Sequence, residues 1–440
     1  MNILMMSNTY KPLVGGLEKS IESFTKRFRE EGHRVIVVAP EFVNMKEEKD
    51  VIRIPAIQNA GGSQFSIQLP IPGVLTEALG DFKPNIVHAH HPFLVGDTAL
   101  RIARKHHAPL VYTHHTLFEQ NTHYLPGNPK GLKRFVIELS TGYANLADLV
   151  FAPSESVMDL IKERGVTTPV KVVPTGVNIQ RFSKGARTKF RNTLKIPLDS
   201  FVVGHVGRLA PEKNLEFMAS AVATFLKLEP NARFLVGGNG PSEEGIKAAC
   251  ERQNVGDRLY MAGVLKGKDL VSAYHAMDVF AFASQSETQG LVITEAMCAG
   301  LPVVAVDAPG VREVVVDNLN GRLLSSESLE DFVSALSWVA RSSSSKIKKM
   351  KEACRHTAKQ FSIKISSESA LDAYKCLLLK DFARAETGDD SAWAKALSLF
   401  QAQWDLTKNV TQAAGAYLQS EEKTSKGEEN KKEDLVGPTA

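Results

Sequence analysis

Short runs of apolar, mostly β-branched residues alternate along this chain with stretches where apolar residues recur every three or four positions. Met1–Ser7 opens with such a run and is followed by a glycine-bearing loop. Glu18–Glu31 then places Ile21, Phe24 and Phe28 on one helical stripe and stops at Gly32. Arg34–Ala39, Asn85–His88, Leu110–Tyr112, Leu149–Ala152 and Lys171–Val173 read as further strands. Strands that are apolar throughout, joined by helices, predict a parallel sheet covered on both faces.

The alternation pauses in a Gly/Arg/Lys-rich segment near Thr175–Arg191. It restarts with strands at Phe201–Val206, Arg233–Val236, Arg258–Met261, Val279–Ala281 and Pro302–Ala305. Two successive sets predict an α/β protein of two Rossmann-like lobes, 1–178 and 179–361. Ligands in such sheets sit outside the carboxyl ends of the strands, and a two-lobed chain would hold them in the cleft between lobes. Beyond Leu329 the pattern is helical. Residues 386–420 form an additional helical segment in which Trp393, Leu397, Phe400 and Trp404 share a stripe expected to dock on the body. An interfacial membrane helix is the alternative, weakened by few cations on its polar face. Residues 421–440 carry six acids and four lysines with almost no bulky apolar residue, which predicts a disordered tail.

Composition adds limits. The 440 residues are 43% hydrophobic and 23% charged, close to an ordinary globular protein. The net charge of +4 gives no reason to expect a nucleic-acid partner. Four cysteines without metal-ligand spacing fit reduced thiols and a cytoplasmic location. The opening apolar run lacks a basic flank and reads as a strand, not a secretion signal. No stretch approaches the ~18–20 apolar residues of a membrane span.

Candidate chemistry gathers at strand ends. In SETQGLVITEAMCAG, Glu287 lies in a loop after a strand, and Gln289–Gly290–Leu291 opens a helix containing Glu295. A helix N-terminus offers backbone N–H groups to a phosphate. A carboxylate one turn in can accept from a ribose diol; the plain alternative is two solvated glutamates. Gly207–Arg208 and Lys213, after Phe201–Val206, supply two cations that could hold a diphosphate and stabilise its departure. Surface salt bridges are the alternative there. Gly237, Gly238 and Gly240 form a glycine-rich turn that is not a Walker A loop. Gly15–Gly16 follows the first strand without a G-x-G-x-x-G pattern, which argues against an ordinary NAD enzyme. Eight of twelve histidines fall between His88 and His123. No carboxylate accompanies them at ligand spacing, so no metal site is expected. His114 and His115 end one strand and should point to opposite sides. With no D-x-D anywhere, Arg208 and Lys213 could stand in for a carboxylate-held metal.

These motifs, in this order from Met1 to Tyr374, resemble retaining family 4 glycosyltransferases of the GT-B fold. The resemblance implies that Glu295 holds the nucleotide's ribose, Arg208 and Lys213 its diphosphate, and the amides of Gln289–Gly290–Leu291 the sugar and phosphate. Glu287 would lie near the transferred sugar, and His115 would contact that sugar or align the acceptor. Gly15, Gly16 and Gly263 complete the implied donor set. The implied catalytic residues are His115, Arg208, Lys213 and Glu287. The implied reaction is front-face substitution without a protein nucleophile, with no cofactor beyond the nucleotide-sugar donor. A helix over 362–385 would cross back to the first lobe.

More narrowly, YTHHTLFEQNTHYLPG and SETQGLVITEAM are similar to bacterial diacylglycerol glucosyltransferases. That implies UDP-glucose as donor and a lipid acceptor at the inner face of the cell membrane. His123, Lys130, Lys133 and Arg134, before Phe135–Val136–Ile137, would face the acceptor and an anionic membrane; a solvated helix face is the alternative. Another acceptor (a lipid-linked polysaccharide intermediate or a phosphoinositol lipid), a nucleotide-sugar 2-epimerase and a non-catalytic binding protein are the competing readings.

Overall fold

A computed structural model describes residues 1–13, 15–42, 45, 48–57, 67–68, 74–120, 129–285, 287–385, 401–414 and 416. The chain divides into two compact units. One comprises 1–153, 158–173 and 367–440; the other comprises 154–157 and 174–366. The division falls at 173/174 rather than 178/179.

The first unit is built on strands β1 (Asn2–Met6), β2 (Arg34–Pro40), β3 (Val51–Ile54), β6 (Ile86–Ala89), β7 (Leu110–Thr113), β8 (Leu149–Ala152) and β9 (Val170–Val172). Their order is β3-β2-β1-β6-β7-β8-β9 and every pairing is parallel. A small antiparallel pair, β4 (Ala56–Ile57) and β5 (Ile67–Gln68), stands apart. Leu4 sits opposite Ile36 on one side and Val87 on the other, and all three are buried. Ile21, Phe24 and Phe28 are the buried face of helix Gly16–Glu30, as the 3.6-residue period requires. Helix Ile363–Ala385 enters this unit from Ser367 onward. Its Tyr374 is fully buried against Phe28 and Phe151, with ring centroids 5.8 and 5.9 Å away.

The helix over 401–414 also belongs to the first unit. Its buried face is Ala402, Leu406, Asn409 and Ala413, whereas Trp404 is 64% exposed. Of the stripe expected to dock, Trp404 is therefore not on the docked face; Trp393, Leu397 and Phe400 lie outside the described residues. The reason is close approach. Asn409 Nδ2 donates to the Leu139 carbonyl at 3.0 Å, and a Cβ at Gly142 would stand 1.8 Å from Asn409 Oδ1. Gly142, on helix Pro129–Ala144, thus makes room for the Asn409 side chain. Residues 417–440 are not described.

The second unit carries β10 (Phe201–Val206), β11 (Ala232–Gly237), β12 (Leu259–Met261), β13 (Val279–Phe282), β14 (Val303–Val306) and β15 (Gly321–Leu324) in the order β12-β11-β10-β13-β14-β15, again all parallel. Neighbouring residues on each strand enter opposite cores. Val202, Phe280 and Val303 pack with Tyr274, Ile293 and Met297. Val203, Val279 and Val304 pack with Val222, Phe225 and Phe332. Both faces are covered, so these strands read as unbroken apolar runs. Each large side chain buried this way contributes about 1.5–3 kcal/mol.

Candidate functional site

Both sheets reverse their winding once. In the second unit the chain leaves β10 toward β11 and β12, then returns to the other side of β10 at β13. The crevice outside the carboxyl ends of β10 and β13 is thus the topological switch point, where doubly wound sheets take ligands. Gly207 and Arg208 follow β10, and Glu287–Gly290 follow β13. The corresponding point in the first unit lies between β1 and β6. Gly15 and Gly16 follow β1, His90 and His91 follow β6, and His115 follows the adjacent β7.

After β10 the chain makes a single 3₁₀ turn, Pro211–Lys213, that ends at Asn214 with φ 53°. The turn presents Lys213, whose Nζ lies 2.5 Å from Glu287 Oε1; both side chains are largely buried. The structure therefore brings two of the candidate catalytic residues into contact. Arg208 is more than half exposed and pairs with Glu212. The glycine-rich turn backs this segment. The Gly207 amide donates to Gly237 O at 3.0 Å and the Leu209 amide to Asn239 O at 2.9 Å. A Cβ on Gly238 would lie 1.9 Å from Gly207 O. That glycine serves close backbone approach within the fold.

After β13, Gly290 takes φ 65° and caps helix Leu291–Cys298. The first-turn N–H groups of a helix have no acceptor within it and carry its positive end. The preceding loop is fixed by Gln289, which is buried and clasps the Thr175 backbone: Nε2 donates to Thr175 O at 2.6 Å and Oε1 accepts from Thr175 N at 2.5 Å. Its side chain is thus committed, leaving backbone as its contribution to a ligand. Gly310 packs the β14 turn against the same loop, a Cβ there falling 2.4 Å from Gln289 N.

Glu295 is 3% exposed. The Tyr274 hydroxyl donates to its Oε2 at 2.9 Å. Burial, then the Glu295 charge, hold the Tyr274 hydroxyl well above its usual pKa, so it stays a donor. Burial and Glu295 also push the Cys298 thiol up to about 12. Tyr274 was not apparent as part of this set; its signal, an aromatic on a buried helical face, is that of any core residue. Gly263 follows β12 with φ 64°, and its carbonyl accepts from Gly238 N at 2.7 Å.

In the first unit a Cβ on Gly16 would meet no atom within 4 Å, so packing of the chain does not demand glycine there. The histidines form a buried ladder. His88 bridges Tyr374 Oη and Thr113 Oγ1, each at 2.6 Å. Its ring stacks on His90 at 4.2 Å, and His90 stacks on His115 at 5.1 Å. His90 Nδ1 and His115 Nε2 are 2.9 Å apart. His91 Nδ1 accepts from the Asn8 amide at 3.1 Å. Burial lowers His88 and His91 to about 3 and His114 to about 4. The same cause takes His90 and His115 well below the usual range. Neutral rings suit hydrogen bonding to hydroxyls. Among the described residues no group of three or more His, Cys, Asp or Glu could hold a metal.

Lys130, Lys133 and Arg134 are exposed on helix Pro129–Ala144, and Phe135, Val136 and Ile137 beside them are half-buried. His123 lies outside the described residues. No described helix is long and apolar enough to cross a membrane.

Comparisons with known proteins define the class. Residues 14–181 match the family model described as Glycosyltransferase Family 4, and residues 186–361 match Glycosyl transferases group 1. A D-inositol 3-phosphate glycosyltransferase of Segniliparus rotundus is 30% identical over 322 residues, covering 70% of each chain. This chain belongs to glycosyltransferase family 4 and has the GT-B fold. It is also similar to the alpha-monoglucosyldiacylglycerol synthase of Streptococcus pneumoniae, at 28% identity over 73% of this chain and 75% of that one. Among solved structures it resembles the Anabaena HepE protein in complex with UDP and glucose. There the TM-score is 0.68 and identity 21%, over 86% of this chain and all of that one.

Proposed function

We propose that this glycosyltransferase is a retaining hexosyltransferase that moves glucose from UDP-glucose to a diacylglycerol-type lipid at an anionic membrane surface. The observation that carries the reading is the arrangement around Glu287-x7-Glu295. One carboxylate anchors Lys213 at the β10 end, and the other is buried one turn into the helix that follows β13. The motif resemblance and the name of the S. pneumoniae relative favour glucose and a glyceride acceptor.

In this reading Arg208 and Lys213 take up the charge of the departing diphosphate, which replaces what a divalent metal does elsewhere. The helix N-terminus at Gly290–Leu291 and the Gln289 backbone meet phosphate and sugar. Glu295 accepts from the ribose hydroxyls and Glu287 borders the transferred sugar. Gly15, Gly16 and Gly263 keep side chains away from the donor. The anomeric carbon develops oxocarbenium character as the diphosphate leaves, and the acceptor hydroxyl attacks from the same face. A departing phosphate oxygen takes its proton. His115 hydrogen-bonds a hydroxyl of sugar or acceptor. Lys130, Lys133 and Arg134 attract anionic lipid at about 1 kcal/mol per cation near the surface, which would place the enzyme at the inner face of the membrane. An inositol phosphate acceptor is the second reading, favoured by the S. rotundus relative.

Glu295→Gln tests the donor site. Tyr274 can still donate to the amide oxygen, so the fold should persist. Loss of charge-assisted hydrogen bonds, about 1.5–3 kcal/mol, should weaken UDP binding by roughly 10–100-fold in calorimetry. Unchanged UDP affinity would remove Glu295 from the donor site.

A further inference from the structure

The contact between His90 and His115 has a direction, and Met5 sets it. His90 is 1% exposed. Its Nδ1 lies 2.9 Å from His115 Nε2, and its Nε2 lies 3.2 Å from Met5 Sδ. Burial keeps both rings neutral at pH 7, and a neutral imidazole carries one N–H. A thioether has no hydrogen to give and can only accept. If His90 held its proton on Nδ1, its Nε2 lone pair would face the sulfur lone pairs with no hydrogen between them. The His90 proton therefore sits on Nε2 and points at Met5, and Nδ1 accepts. The hydrogen shared with His115 then comes from His115 Nε2. That leaves His115 Nδ1 as the ring's accepting nitrogen. Stacking of His90 on His88, itself pinned by Tyr374 and Thr113, holds the ring plane in which this works.

We propose that His90 is a positioning residue: the chain Met5–His90–His115 locks His115 as the Nε2–H tautomer, so that Nδ1 accepts a hydrogen bond from a hydroxyl of the transferred sugar or of the acceptor. The proposal rests on the assignment of His115 to a substrate hydroxyl. It explains why two histidines and a methionine converge at the ends of β1, β6 and β7 without metal geometry.

The test is the protein labelled with ¹⁵N in its histidine rings, with the His115 signals identified by their loss in His115→Gln. The expected spectrum has His115 protonated on Nε2. His90→Phe keeps ring and burial but removes the acceptor. It should lower kcat/KM for hexosyl transfer by about 10–100-fold, the range for losing a partner that orients a ligating histidine. His90→Asn, whose Oδ1 can take the place of Nδ1, should recover most of that loss, which a purely space-filling role would not allow. Met5→Leu conserves volume and should give a mixture of His115 tautomers. His115 protonated on Nδ1 in the wild type, or wild-type kcat/KM in folded His90→Phe, overturns the proposal. If His90→Phe does not fold, Met5→Leu decides: mixed tautomers support the relay, and an unchanged spectrum with unchanged kcat/KM overturns it. Wild-type protein that shows the Nε2–H tautomer but transfers no sugar contradicts the proposed reaction and leaves the relay standing.

Discussion

Acidification should open the first unit before the second, because the first stores most of the buried neutral histidine. His88, His91 and His114 have folded pKa values of about 3, 3 and 4, lowered chiefly by burial. Unfolded histidine titrates near 6.5. The unfolded state therefore takes up protons first as pH falls. The contribution of each ring is fully present above about pH 7 and is lost on descending through 6.5 toward the folded value. Each pH unit below 6.5 costs about 1.4 kcal/mol per ring, so at pH 5 the three together cost about 6 kcal/mol. His90 and His115 shift in the same direction for the same reason and add to this. A domain has about 5–15 kcal/mol to lose. In the second unit His205, at about 4, is the fully buried counterpart among the described residues, with a cost near 2 kcal/mol at pH 5. Hydrogen exchange read by mass spectrometry at pH 7, 6 and 5, corrected for intrinsic rates, should show protection collapsing in β1, β6 and β7 while β10 and β13 hold. Unchanged protection of the first-unit strands down to pH 5, or earlier loss in the second unit, would refute the reasoning.

Three further outcomes follow, two from the donor-site contacts and one from the exposed basic face. Arg208→Ala should lower transfer by about 10²-fold or more, as loss of a charge-stabilising donor does, and should cost about 1–3 kcal/mol in urea titration, because the Glu212 side chain, only 9% exposed, loses its cation. Lys213→Ala should lower transfer similarly and cost about as much, because largely buried Glu287 loses its cation. Near-normal turnover in either variant would remove that residue from the diphosphate site. Charge reversal of exposed Lys133 and Arg134 to Glu should reduce binding to phosphatidylglycerol vesicles at least tenfold at low salt. Equal sedimentation with vesicles would discard that face as the membrane contact.

The strands were legible because both faces of each sheet are covered, which writes their positions as apolar runs. Less legible were β3 at one sheet edge, where Val51–Ile54 is mostly half-buried, and β15, where Arg322 interrupts the run. Edge strands need not be apolar throughout, so the pattern fades there. Arg208, Lys213, Glu287 and Glu295 stood out as charged residues at strand ends, but their relations did not. Spacing could not tell that Lys213 meets Glu287, that Gln289 spends its side chain on Thr175, or that Glu295 is buried under Tyr274. Those are long-range contacts between residues of ordinary type. Arg191 makes the same point inside the core. It is fully buried, gives Nη1 to the carbonyls of Pro197, Leu198 and Ser200, and pairs with Asp278 at 2.8 Å. Nothing in its sequence neighbourhood separates it from a surface arginine. In the 401–414 helix, Trp404 faces solvent while Asn409 meets Leu139 and Gly142, a long-range contact that amphipathic spacing does not reveal.

The most direct measurement is sugar transfer from UDP-glucose by purified protein, with and without diacylglycerol in phosphatidylglycerol vesicles and, separately, with inositol phosphate, following UDP release and the anomeric form of the product by NMR. The account predicts UDP release only in the presence of diacylglycerol, matched by formation of an α-glucosyl lipid. Release that is equal without acceptor, a soluble glucosyl inositol phosphate in place of a glycolipid, or a β-linked product would contradict it.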